Sequence, residues 1–107
     1  MKAYRVEFTP NARQDMLDYA RYIRSQEGSD RYALEWYEGM HAAVMNLRTM
    51  PRRCAVAREV AAFDLDLRQL VYQSHRVLFS IHDEDQLVVI HRVWHCARDD
   101  ATAEDLT

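Results

Sequence analysis

Two histidines, two cysteines and a run of arginines are the residues whose types and spacing bear on chemistry. His91 and His95 stand four apart in a segment of strand character. A strand at ~3.3 Å per residue puts both on one face, about 13 Å apart. Zinc bonds of only ~2.0–2.1 Å do not span that gap. Cys96 beside His95 brings no third ligand, so no metal and no cofactor is expected. His95 can exchange protons near neutral pH, since a free imidazole titrates near ~6.5. As an ordinary strand-end residue it would instead bond a backbone carbonyl. Arg48, Arg52, Arg53 and Arg58 lie within eleven residues, with Glu59 the only acid between 48 and 63. Such a cluster can approach phosphate or an acidic protein surface, or simply offset the dipole at a helix C-terminus. Cys54 and Cys96, 42 positions apart with no CxxC, read as reduced thiols in a cytoplasmic protein.

The elements that must position these residues follow from periodicity. Residues 3–8 alternate, with Tyr4, Val6 and Phe8 on one side, as in a half-buried strand. Thr9-Pro10 is a helix start. Ala12, Met16, Tyr19/Ala20 and Ile23 then mark one helical face. Gly28 closes that helix and Ser29 caps a second one. The second helix presents Ala33, Trp36/Tyr37, Met40, Ala43/Val44 and Leu47 until Pro51 stops it. Tyr19, Tyr22, Trp36 and Tyr37 are assigned to core or hairpin packing. Residues 52–66 read as a loop with one short helical turn. Segments 67–73, 76–82 and 86–95 have strand character, and links as short as Gln73-Ser74-His75 and Asp83-Glu84-Asp85 require antiparallel pairing. The last strand is apolar on both parities and suits an interior place in the sheet. The expectation is an α+β fold: an N-terminal strand, an antiparallel two-helix hairpin, and a three-stranded antiparallel meander forming one small sheet. The face away from the hairpin is expected to be open and to carry function.

Composition bounds the reading. The 107 residues carry 14 basic and 17 acidic side chains, a net charge of -3, with only 2 Gly and 2 Pro. That argues for one ordered domain without a membrane span. The N-terminal segment has no apolar core of the kind a signal peptide needs. Four of the acids (Asp99, Asp100, Glu104, Asp105) fall in the last nine residues, so residues 1–98 carry a net +1. The chain divides into a single domain over 1–98 and an acidic tail over 99–107. A body at +1 does not exclude RNA, but it is far from the basicity of a dedicated nucleic-acid binder.

Several stretches, taken in order, resemble the RelE/ParE superfamily of toxins from bacterial toxin–antitoxin modules over roughly residues 4–99. They are Tyr4-Arg5-Val6-Glu7-Phe8-Thr9 with Ala12 and Asp15-Met16-Leu17, then Tyr22-Ile23, and Leu47 to Pro51. They continue with Leu67-Arg68-Gln69-Leu70-Val71, Ser74-His75-Arg76-Val77-Leu78-Phe79, Val89-Ile90-His91-Arg92-Val93-Trp94-His95 and Arg98-Asp99. The resemblance implies a growth inhibitor neutralised by a cognate antitoxin whose C-terminal segment wraps it. An apolar antitoxin groove would also let the free chain form a homodimer.

The superfamily divides by target. ParE-like members poison DNA gyrase by binding it. RelE-like members cleave messenger RNA in the ribosome, which requires a base for the 2′-hydroxyl, cations for the phosphate and an acid for the leaving oxygen. On that second reading the resemblance makes Arg76 the phosphate contact, with Arg68 and His95 as further catalytic residues. The plainer reading pairs Arg76 with a nearby acid such as Asp64 or Asp66. Arg68 is the one cation on its strand, and Cys96 to Thr107 lacks the Tyr that the nuclease branch often carries. Both features favour the ParE-like branch, with Arg52, Arg53 and Arg98 as target or antitoxin contacts. A third reading is a non-toxic orphan that keeps the fold as an interaction module.

Overall fold

The protein is described by a computed structural model over residues 3–106; Met1, Lys2 and Thr107, the ends of the expected domain and tail, lie outside the described residues. The chain runs β1 (Arg5–Phe8), α1 (Pro10–Glu27), α2 (Asp30–Met45), β2 (Ala55–Val56), β3 (Leu67–Tyr72), β4 (His75–His82) and β5 (Leu87–His95), with short 3-10 turns at Asn46–Arg48, Pro51–Arg53, Val60–Ala62 and Ala103–Leu106. The α+β arrangement expected from periodicity is the one found.

The helix ends are set by side chains. Thr9 Oγ1 accepts from the Ala12 N–H at 3.1 Å and donates to the His91 carbonyl at 3.0 Å, tying the start of α1 to β5. Pro10 fixes the first helical φ, and Gly28 ends α1 at a left-handed φ of 66°. Ser29 Oγ then caps α2 through the Arg31 N–H at 3.1 Å.

The five strands order as β1-β5-β4-β3-β2. β3, β4 and β5 form the expected antiparallel meander, and β5 is interior. β1 joins β5 in parallel, because the helical hairpin carries the chain back before the meander begins. The two-residue β2, inside the segment read as loop, adds an antiparallel edge on β3. On the hairpin side, Ala12, Met16, Trp36, Met40 and Val44 pack on Val77, Phe79, Ile81, Val88, Ile90 and Val93.

The opposite face departs from expectation. It is not open: Leu67, Leu78 and Trp94 are covered by Ala57, Val60, Phe63 and Leu65 and by Ala101 and Leu106. β4 is therefore buried on both sides through Ile81. Burial of a Leu or larger side chain contributes about 1.5–3 kcal/mol, so this second cluster is a substantial share of the fold's stability. The described part of the acidic tail is correspondingly packed against the sheet. Tyr22 also departs from its core assignment, being 56% exposed and stacked on Tyr19 at 5.7 Å. Among the described residues no helix is long and apolar enough to cross a membrane.

Candidate functional site

Arg76 sits on β4 opposite Val71 and Trp94, so its side chain points to the face covered by the second cluster. It is only 1% exposed. Nη1 donates to Glu59 Oε1 at 2.9 Å and Nη2 to Oε2, with a further bond from Nη1 to Gln69 Oε1 at 3.3 Å. The partner is thus Glu59, not Asp64 or Asp66. Glu59 Oε2 also accepts the Ala101 N–H at 2.9 Å. Burial pushes the Glu59 carboxyl up, but the bonds from Arg76 and Ala101 outweigh it and hold the pKa at about 2. One pair thereby joins β4, the 57–65 segment and the start of the tail.

The loop arginines are equally engaged. Arg52 grips Asp83 with Nη1 and Nη2 at 2.9 and 2.8 Å, and its Nε donates to Asp66 at 3.1 Å. The Arg52 contact, and after it the Tyr4 hydroxyl bonded at 2.7 Å, hold Asp83 below the usual carboxylate range. Arg68 donates to Asp66 at 2.9 Å and to the carbonyls of Arg52 and Cys54 at 3.2 and 3.1 Å, fastening β3 to the loop that leads into β2. Arg53 Nη1 donates to the Thr49 carbonyl at 2.7 Å, as a cation does at a helix end. Arg58 pairs with Asp100 and reaches the Arg98 carbonyl at 2.8 Å.

His95 lies elsewhere, on the hairpin face. Its ring meets His75 edge-on at 5.5 Å, and His75 in turn lies 4.0 Å from Tyr19 and 5.4 Å from Trp36. His95 Nδ1 accepts the Ala97 N–H at 3.1 Å, so a backbone amide, not a carbonyl, orients the ring. In the neutral form Nε2 therefore carries the proton. Burial, reinforced by His95, pushes His75 down to about 4, which leaves it neutral at pH 7. The cleft here has a volume of about 300 Å³, with His75, His95, Tyr22 and Arg98 among its walls. The Arg98 guanidinium rests over Trp94 at 4.1 Å, and Arg92 approaches the same ring at 4.8 Å.

A bulge explains a second departure from simple alternation. Phe79 pairs with Ile90 and Leu78 with Arg92, so His91 is the extra residue of β5. Its ring turns to the second face, where Nδ1 donates to the Leu106 carbonyl at 2.8 Å and Nε2 bonds Ser80 Oγ at 2.8 Å. His91 and His95 thus point to opposite faces rather than to one. Beyond the end of β1, Asp15 of α1 closes the β5 edge, accepting the Val93 N–H at 3.0 Å and both Arg92 donors at 2.8 and 2.7 Å.

The three residues assigned to cleavage are not brought together. Arg76 is under the second cluster, while Arg68 and His95 are on the hairpin face at opposite ends of the meander, across from Phe79 and His75 respectively. Glu59 and His75 are the residues that sequence reasoning left without a role. Glu59 was visible only as the single acid of its arginine-rich segment.

A family model for the ParE toxin of the type II toxin–antitoxin system parDE matches residues 6–100. A chain of the toxin–antitoxin complex RelBE2 from Mycobacterium tuberculosis is 28% identical, with 92% of this chain and 97% of that chain covered and a TM-score of 0.57. A chain of the chromosomal ParDE system of P. aeruginosa, 16% identical, covers 87% of this chain and 96% of its own with a TM-score of 0.69, a likeness of fold. No curated protein matches the sequence. With residues 6–100 matched, over both helices and all of the sheet but the first residue of β1, the chain belongs to the ParE toxin family of the RelE/ParE toxin–antitoxin superfamily.

Proposed function

We propose that the protein is the toxin of a type II toxin–antitoxin pair and arrests growth by binding a protein target, DNA gyrase in keeping with its family, rather than by cutting RNA. The observation that carries this reading is the state of Arg76. A phosphate-binding arginine needs its guanidinium fork free, and here the fork is spent on Glu59 beneath a packed layer. Freeing it would leave a buried carboxylate unpaired, at a cost of about 3–5 kcal/mol. The cognate antitoxin is the natural partner, given the toxin–antitoxin complexes to which the chain is similar. Arg98, held on Trp94 at the rim of the His95 cleft, and the loop arginines Arg52 and Arg53, which unlike Arg76 remain exposed while bonded, are the proposed contacts for target or antitoxin.

Expression without a partner tests this: growth stops while primer extension shows intact transcripts. New in-frame cuts would favour the second reading, a ribosome-dependent endoribonuclease, which the 28% identity to the RelBE2 chain keeps in view. Normal growth at confirmed soluble expression would point to the non-toxic interaction module.

A further inference from the structure

Tyr19 is shared by two clefts, and the larger lies on the side away from His95. Tyr19, Trp36, Tyr32 and Tyr72 wall a space of about 450 Å³ between α1, α2 and the β3–β4 turn, and Glu27 and Glu35 stand at its rim. Tyr72 reaches this place because α2 carries Gly39: a Cβ there would meet the Tyr72 hydroxyl at 2.0 Å. Tyr32 is 52% exposed. Tyr19 and Tyr72 are half-buried and Trp36 is buried at the floor, so the open ring surface is mainly that of the tyrosines. Such a surface beside carboxylates is a poor match to water and a good match to an organic cation, which takes the ring faces and the negative rim together.

The chain's own cations do not fill the space. Arg24 is committed to Asp30 at 2.8 Å. Arg31 reaches Glu35 at 3.2 Å, but both side chains are more than half exposed, so the contact is weak and exchangeable. Glu27 has no ion-pair partner among the described residues. The other acids that the arginine-rich loop approaches, Asp66 and Asp83, are already paired.

We infer that this aromatic–acidic cleft binds an arginine or lysine side chain presented by a segment of a partner protein. The guanidinium or ammonium lies against the tyrosine rings, over the buried Trp36, with Glu27 and Glu35 as counter-charges. The cleft's chemistry stands on its own; only the partner's identity, the antitoxin, rests on the function proposed above.

A small probe separates the two. N-acetyl-arginine amide titrated into the full-length protein should shift the ring resonances of Trp36 and Tyr72 saturably at millimolar concentration. The neutral citrulline counterpart should bind at least ten-fold more weakly. A Glu27→Gln/Glu35→Gln variant should lose about ten-fold for arginine while keeping its native spectrum, as these exposed acids support no packing. Equal binding of arginine and citrulline, or no saturable shift, overturns the proposal. So does movement of the same resonances with protein concentration alone, alongside a rise in mass by light scattering, which would give the cleft to a second copy of the chain. None of these outcomes depends on whether the protein is toxic.

Discussion

The guanidinium of Arg76 and the carboxylate of Glu59 form a two-pronged ion pair in which both residues are nearly inaccessible, at 1% and 4% exposure. The pair binds the middle of the sheet to a segment without regular structure. Arg76→Ala leaves Glu59 buried and unpaired, so unfolding in urea should show a loss of about 3–5 kcal/mol. A loss below ~1 kcal/mol would mean that the pair is not held as described.

The same pair gives an acid signature. Glu59 has a folded pKa of about 2, against 4.5 for the free group. Its contribution is full above pH ~4.5 and fades as the pH falls toward ~2, because the unfolded chain then binds a proton that the folded one refuses. His75, pushed from 6.5 to about 4 by burial and by His95, acts in a higher window. Stability should fall as the pH drops from ~6.5 toward ~4, with His91, also lowered by burial, adding to the slope. His75→Phe should flatten the pH dependence between pH 6.5 and 5 in thermal melts. An unchanged slope would locate the effect elsewhere.

Leu106 anchors the tail on Leu67, Leu78 and Trp94 while its carbonyl accepts from His91. Leu106→Ala should cost about 2 kcal/mol, at the low end for a buried leucine because the chain end can relax. Removing residues 101–107 should cost more, since the His91 and Glu59 bonds go too, and should red-shift tryptophan emission as Trp94 meets water. A truncated chain as stable as the full one would show the second cluster to be dispensable.

Gly39 and Tyr72 make a directional test of packing. Gly39→Ala should destabilise despite alanine's helix preference of about 1 kcal/mol, because the Tyr72 hydroxyl occupies the space a methyl needs. Adding Tyr72→Phe should recover part of the loss. An additive pair would contradict the close approach.

What was legible in the sequence was what repeats. The caps at Thr9, Gly28 and Ser29 and the stripes on α1, α2 and β3–β5 set the hairpin and the meander, because their side chains meet the core at regular intervals. The second layer was not legible: Ala57, Val60, Phe63, Leu65, Ala101 and Leu106 obey no period, and only the fold brings them onto Leu78. That layer converts Arg76 from a surface cation to a buried one. His91 was misplaced for a different reason, since one inserted residue in β5 reverses the face that alternation assigns.

The central claim, inhibition through a protein target, is tested most directly with purified protein, DNA gyrase and relaxed plasmid. Near-stoichiometric protein should block supercoiling or trap cleaved DNA, while messenger RNA on ribosomes stays intact. Unimpaired supercoiling together with cut messenger RNA would contradict it.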